Sequence, residues 1–207
     1  MMPFKSTTSM KCANCLALSV LLLLVAGCAN PELVQESLVP EHTVQVSSLV
    51  VEVDDSAFAR TAFGHLGNAY VDAMGRVVKD SESDIPVLLV TTNAMQLHEK
   101  GVEAIIEARP THLIRLHVVS TLSRAEQPVA VIWQLDLMSV TVTALDVSNR
   151  PGTYRVSYKP VYRVQLSGPL CIDDTTLTVQ HQVAQCGQQM GDAFVRRLKE
   201  RHVMTPL

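Results

Sequence analysis

The chain has 207 residues, of which 47% are hydrophobic, 18% charged and 4% aromatic, and its formal net charge is −3. That balance excludes a disordered polar tail, a collagen-like fibre and a basic nucleic-acid-binding domain. In chain order, the first feature is residues 16–26, LALSVLLLLVA, an apolar run shorter than the roughly 20 residues a membrane-spanning helix needs. Lys5 and Lys11 stand before it and Gly27 follows it, so residues 1–27 read as a removable export signal. Met1, Met2 and Met10 are alternative starts, since the segment from Met10 is a complete signal by itself. Removal of the signal leaves 15 basic against 20 acidic side chains, a net charge of −5.

Leu24-Val25-Ala26-Gly27-Cys28 resembles the lipobox of bacterial lipoprotein precursors, in which cleavage before the cysteine requires small residues and a diacylglycerol thioether on the sulfur. The resemblance covers the first 28 residues and implies that Cys28 becomes an acylated amino terminus. Two or more acyl chains hold a protein stably at a membrane, where one is marginal. In that family an aspartate after the cysteine commonly retains the protein at the inner membrane. Ala29 stands there instead, which implies an outer-membrane anchor with the domain facing the periplasm, if the cell has an outer membrane. Cys12 and Cys15 fall in the discarded segment, and no redox or metal chemistry is assigned to them. Residues 29–43 contain two prolines and three glutamates without sustained periodicity. Residues 28–43 are therefore expected to be a lipidated cysteine and flexible tether with a reach of roughly 50 Å.

The remaining residues 44–207 suit one domain able to bury roughly two-thirds of its unfolded surface. Residues 44–53, VQVSSLVVEV, predict a strand, and Asp54-Asp55-Ser56 offers helix-capping chemistry. Phe58, Ala62, Leu66, Ala69, Ala73 and Val77 then form a helical stripe, interrupted by the weak helix formers Gly64, Gly67 and Gly75. Residues 85–90, IPVLLV, are apolar on both alternating faces and predict a central strand covered on both sides. A second helix is predicted from Asn93, with Gln96 as its capping partner, through Leu97, Gly101, Ile105 and Ala108 to the stop at Pro110. Residues 111–122, 129–145 and 153–166 alternate like antiparallel strands. In the last of these, Tyr154, Val156, Tyr158, Tyr162, Val164 and Leu166 are expected on one face, with Arg155, Lys159 and Arg163 on the other. Pro160 marks an edge strand or a bend. Met190, Ala193, Phe194 and Leu198 define a final helix that ends in basic residues.

The expected fold is therefore a single α/β (α+β) domain with a mixed sheet of about five strands, about three packed helices and the order β-α-β-α-β-β-β-α. That order, behind a lipid anchor, resembles the anticodon-binding-domain-like modules of envelope lipoproteins of the curli-secretion, exopolysaccharide-export and peptidoglycan-synthase-activator types. The resemblance lies in element order over residues 44–207 and in no short motif, and fold alone does not fix function.

Candidate chemistry is sparse. Cys171 and Cys186 are the two cysteines downstream of Cys28, and export favours a disulfide between them over two buried thiols. The seven histidines lack ligand spacing, and His112 and His117 fall on opposite faces of a strand, so neither metal nor cofactor is expected. The acid pairs Asp54-Asp55 and Asp173-Asp174 read as caps and turns, and no nucleophile-elbow, P-loop or dinucleotide-binding motif is present. Arg115, Arg155, Lys159 and Arg163 are the candidate partner-binding residues, either as merely solvated side chains or as a positive surface for an acidic envelope protein or anionic glycan. Export and negative charge disfavour nucleic acid. The chain thus reads as a non-enzymatic binding or assembly accessory of an envelope machine serving export, secretion or cell-wall synthesis, with membrane lipid as one partner through Cys28. The alternatives are a structural subunit of a homo-oligomeric export pore, and a periplasmic solute-binding protein or hydrolase.

Overall fold

The computed structural model describes residues 30–55, 67–82, 84–93, 99–124, 127–145, 152–169 and 180–206. In chain order the elements are β1 (Glu32–Ser37), β2 (Val44–Val46), β3 (Leu49–Asp55), α1 (Gly67–Asp80), β4 (Val87–Asn93), α2 (Glu99–Ala108), β5 (His112–Arg124), β6 (Gln127–Leu145), β7 (Thr153–Pro169), α3 (Gln180–Glu200) and β8 (Met204–Pro206). This is the expected mixed α/β domain, with a six-stranded sheet in the order β1-β7-β6-β5-β3-β4 and a small parallel pair, β2-β8. The strand–helix alternation of the first half puts β3 parallel to both β4 and β5. The alternating segments of the second half pair antiparallel, β5 with β6 and β6 with β7. No helix among the described residues is long and apolar enough to cross a membrane.

One face of the sheet carries the main core. Val51, Val53, Ile114, Leu116, Trp133, Leu135, Leu137, Tyr162, Val164 and Leu166 are buried together with Tyr70, Val71, Met74 and Val78 of α1 and Val183, Met190, Ala193, Phe194 and Leu198 of α3. The stripe predicted for α3 is the buried one. The face of α1 is rotated by about one residue from the Ala69, Ala73, Val77 line, because Tyr70 takes a central core place, stacked on Trp133 with ring centroids 5.7 Å apart. The helices touch closely at Gly187, where an added Cβ would collide with the backbone carbonyl of Tyr70, and at Gly191, where it would stand 2.9 Å from the Met74 carbonyl oxygen. A smaller cluster on the opposite face joins Val50, Leu113 and Met138 to Ile105 of α2.

Three expectations are corrected. Residues 32–37 are not tether but strand β1, paired antiparallel with the end of β7 from Glu32 opposite Ser167 to Ser37 opposite Arg163. An edge strand has one solvated side and needs no clean alternation, which is why the sequence hides it. The apolar segment at 85–90 contributes β4, which lies at the sheet edge rather than its centre and leaves Leu88 exposed. Finally, β7 changes sides midway, for Leu137 faces Tyr162 whereas its neighbour Met138 faces Pro160. The extra residue, Val161, makes a bulge beside a proline that has no N–H for the ladder, and a bulge reverses which side chains face up. Expected residues 56–66 of the first helix and 94–98 of the second lie outside the described residues.

Candidate functional site

Because β3, β5, β6 and β7 are in register, Glu52 lies opposite Arg115, Arg115 opposite Asp136, and Asp136 opposite Arg163. Period-two geometry puts all four side chains on the face away from α1 and α3, in a row of alternating charge across four strands. Arg115 Nε donates to Glu52 Oε2 at 2.7 Å and Arg163 Nε to Asp136 Oδ1 at 2.6 Å. A second row adds amides: Gln134 Nε2 donates to Asp136 Oδ2 at 2.7 Å, and Gln165 Nε2 to Gln134 Oε1 at 2.7 Å. The carboxylates are buried, Glu52 at 3% and Asp136 at 5% exposure, while the two guanidiniums lie over them half in solvent.

His117 Nδ1 is 3.9 Å from Asp136 Oδ2. Burial, reinforced by Arg115 and Arg163, outweighs that carboxylate and holds the imidazole below its ordinary pKa. His112, on the other face as expected, is also pushed down by burial, and its Nδ1 lies 3.1 Å from the Thr111 hydroxyl. Among the described residues no three His, Cys, Asp or Glu side chains gather as a metal site would require.

Beside the row, α2 and the projecting half of β7 enclose a cleft of about 350 Å3, with Gly101, Val102 and Ile105 on one wall and Tyr154, Val156 and Tyr158 on the other. Glu52 and Arg115 form its floor. The Arg115 guanidinium carbon is 5.8 Å from the centre of the Tyr158 ring, and that of Arg109 is 5.8 Å from the centre of the Tyr154 ring. Burial raises the Tyr158 phenol above its ordinary pKa, opposed by Arg115. The floor is charge-balanced, and its hydrogen-bonding groups are presented between aromatic and aliphatic walls.

Of the four cations expected to act together, only two meet. Arg115 and Arg163 belong to the row and are each matched by a carboxylate. The bulge at Val161 sends Arg155 and Lys159, both exposed, to the opposite face of β7. It also separates Tyr154, Val156 and Tyr158 from Tyr162, Val164 and Leu166. A single positive face is therefore not formed. Cys186, in α3, is disulfide-bonded, while Cys28 and Cys171 lie outside the described residues. Glu52, Asp136 and Gln134 were not singled out from the sequence. Their signal was an acid or amide set between apolar neighbours, in Val51-Glu52-Val53 and in Gln134-Leu135-Asp136-Leu137, where strand alternation forces a polar group beneath a covered face.

A second polar tie fastens the sheet edge. Tyr162 donates its hydroxyl to Glu36 Oε1 at 2.6 Å, and Arg201 Nη2 bonds Oε2 at 2.6 Å. Burial raises the Glu36 carboxyl, but Tyr162 and Arg201 together outweigh burial and hold its pKa below the ordinary value.

No protein-family model matches the chain. No curated protein matches it either. Among solved structures it is similar to the PelC dodecamer from Paraburkholderia phytofirmans, at 10% identity over 76% of this chain and 95% of that one, with a TM-score of 0.34. It is also similar to protein XCC0632 from Xanthomonas campestris, at 12% identity over 78% and 87% of the two chains and a TM-score of 0.34. A third likeness is to a homologue of the neuraminyllactose-binding hemagglutinin from Helicobacter pylori, at 9% identity over 77% and 90%, with a TM-score of 0.28.

Proposed function

We propose that this chain is a bacterial envelope lipoprotein, anchored through acylated Cys28 in the outer membrane and facing the periplasm, whose domain binds or assembles other envelope components and performs no catalysis. The observation that carries the reading is the pentad Leu24-Val25-Ala26-Gly27-Cys28, which closes an apolar run immediately upstream of a folded domain. In this role the mechanism is positional. Lipid fixes where the domain sits, α1 and α3 bury one face of its sheet, and the other face offers the charge-balanced row and the tyrosine-walled cleft to a polar partner, a protein segment or a glycan. Aromatic rings beside matched donors and acceptors suit such a ligand, because they bury area without leaving an unpaired charge.

The test compares the wild-type chain with Cys28→Ala in separated membrane fractions, with mass spectrometry of the amino terminus and cross-linking in cells. An acylated Cys28 in the outer-membrane fraction, lost in the variant, is the expected result. Unmodified wild-type protein free in the periplasm would overturn the anchor.

A further inference from the structure

We propose that the edge of the domain formed by β1 and the C-terminal half of α3 lies directly on the phospholipid surface, with Arg196 meeting lipid phosphate. The inference rests on the lipid-anchor reading above and deepens it. Incorporation of residues 32–37 into the sheet leaves only Ala29, Asn30 and Pro31 between Cys28 and the fold. Three extended residues reach about 10 Å, a fifth of what a free tether would allow. A leash this short also keeps the domain edge at high effective concentration against the membrane, so a weak contact suffices to hold it there.

The surface at that edge is suited to the headgroup layer. Of eight large apolar side chains left exposed among the described residues, four lie within seven positions of β1 and its exit: Leu33, Val34, Leu38 and Val39, each 42–51% exposed. Where the leash meets the fold, a cleft of about 240 Å3 is lined by Asn30, Pro31 and Leu33 on one side and Ala193, Arg196 and Arg197 on the other. Arg197 faces Glu200 at 3.4 Å, whereas Arg196 is exposed and makes no ion pair with the described residues. A guanidinium binds phosphate through paired N–H donors, and aliphatic side chains beside it enter the boundary between headgroup and acyl chain. The open side of β1 sets the depth. Its backbone groups, unpaired among the described residues, would be unsatisfied in hydrocarbon, so the edge rests at headgroup level and does not insert.

The test uses full-length protein processed in cells, purified, and placed either in phosphatidylethanolamine–phosphatidylglycerol vesicles or in neutral maltoside micelles, which carry no phosphate. Mass spectrometry first reads the state of Cys28, and hydrogen–deuterium exchange then follows residues 32–39 and 193–201. Exchange in both segments is expected to slow several-fold in vesicles relative to micelles, and Arg196→Glu is expected to reverse much of that slowing while leaving exchange in β6 unchanged. Acylated Cys28 with equal exchange in vesicles and micelles would overturn the docking alone. Protection that grows with protein density at constant lipid would overturn it in favour of a second copy pairing along β1. An unacylated Cys28 would overturn the anchor reading and the docking with it.

Discussion

Trp133, Leu135 and Leu137 of β6 point toward α1 and α3, and the residues between them, Gln134 and Asp136, point away; the two faces of one strand thus stand in two kinds of surroundings. The helical face is held by shape. The side chains of its core are apolar and buried, and its two helices approach until only glycine fits between them. The open face is held by pairing, with two buried carboxylates each covered by a guanidinium from the next strand. Shape depends on volume and tolerates little change, whereas pairing depends on partners and can be altered locally. A surface of the second kind can be fitted to a ligand without undoing the fold.

Breaking the helical face should therefore cost more than breaking the open one. Trp133→Ala removes the largest fully buried side chain and its stack on Tyr70, and urea denaturation should show a loss of about 4 kcal/mol. Gly187→Ala should destabilise by about 2 kcal/mol even though alanine favours a helix, because the clash is with backbone and cannot swing aside. A stabilised Gly187→Ala protein would show that the helices do not meet as described. On the open face, Asp136→Ala strips Arg163 and the buried Gln134 of their acceptor and should cost about 2 kcal/mol. Its circular dichroism spectrum should stay native, and an unchanged unfolding midpoint would mean the row is ornamental.

The smallest effect is that of pH, and it touches both faces. His117 is held below its ordinary value of 6.5, so its contribution is complete above that pH and is lost as the pH falls toward the depressed folded value. Glu36 is held below 4.5, so the tie from β1 to Tyr162 and Arg201 persists above that value and fails as acid protonates the folded carboxylate. The thermal midpoint should fall in two stages on acidification, the first on the open face and the second at β1. Glu36→Gln should remove the second stage and leave the first.

The helical face was largely legible in the sequence, because helix and strand periods announce which side chains turn inward. Met190, Ala193, Phe194 and Leu198 in α3 were found this way, as were the three long strands. The open face was not legible, since it depends on register, and register is set between segments far apart in the chain. Glu52 meets Arg115, and Asp136 meets Arg163, only after the strands pair. The bulge at Val161 is a further case: apolar alternation runs through residues 154–166 of the sequence, and Pro160 is the one local sign of the break. Strand β1 escaped for another reason, because edge pairing with the end of β7 leaves no mark on the apolar pattern of its own six residues.

The small β2–β8 ladder sets Val44 beside Met204 and Val46 beside Pro206, joining an early strand to residues synthesised about 160 positions later. A chain that emerges amino terminus first cannot close this seam until residues 204–206 are free. Until then β2 lacks its partner in this ladder, and the seam closes only after every strand of the six-stranded sheet has been made.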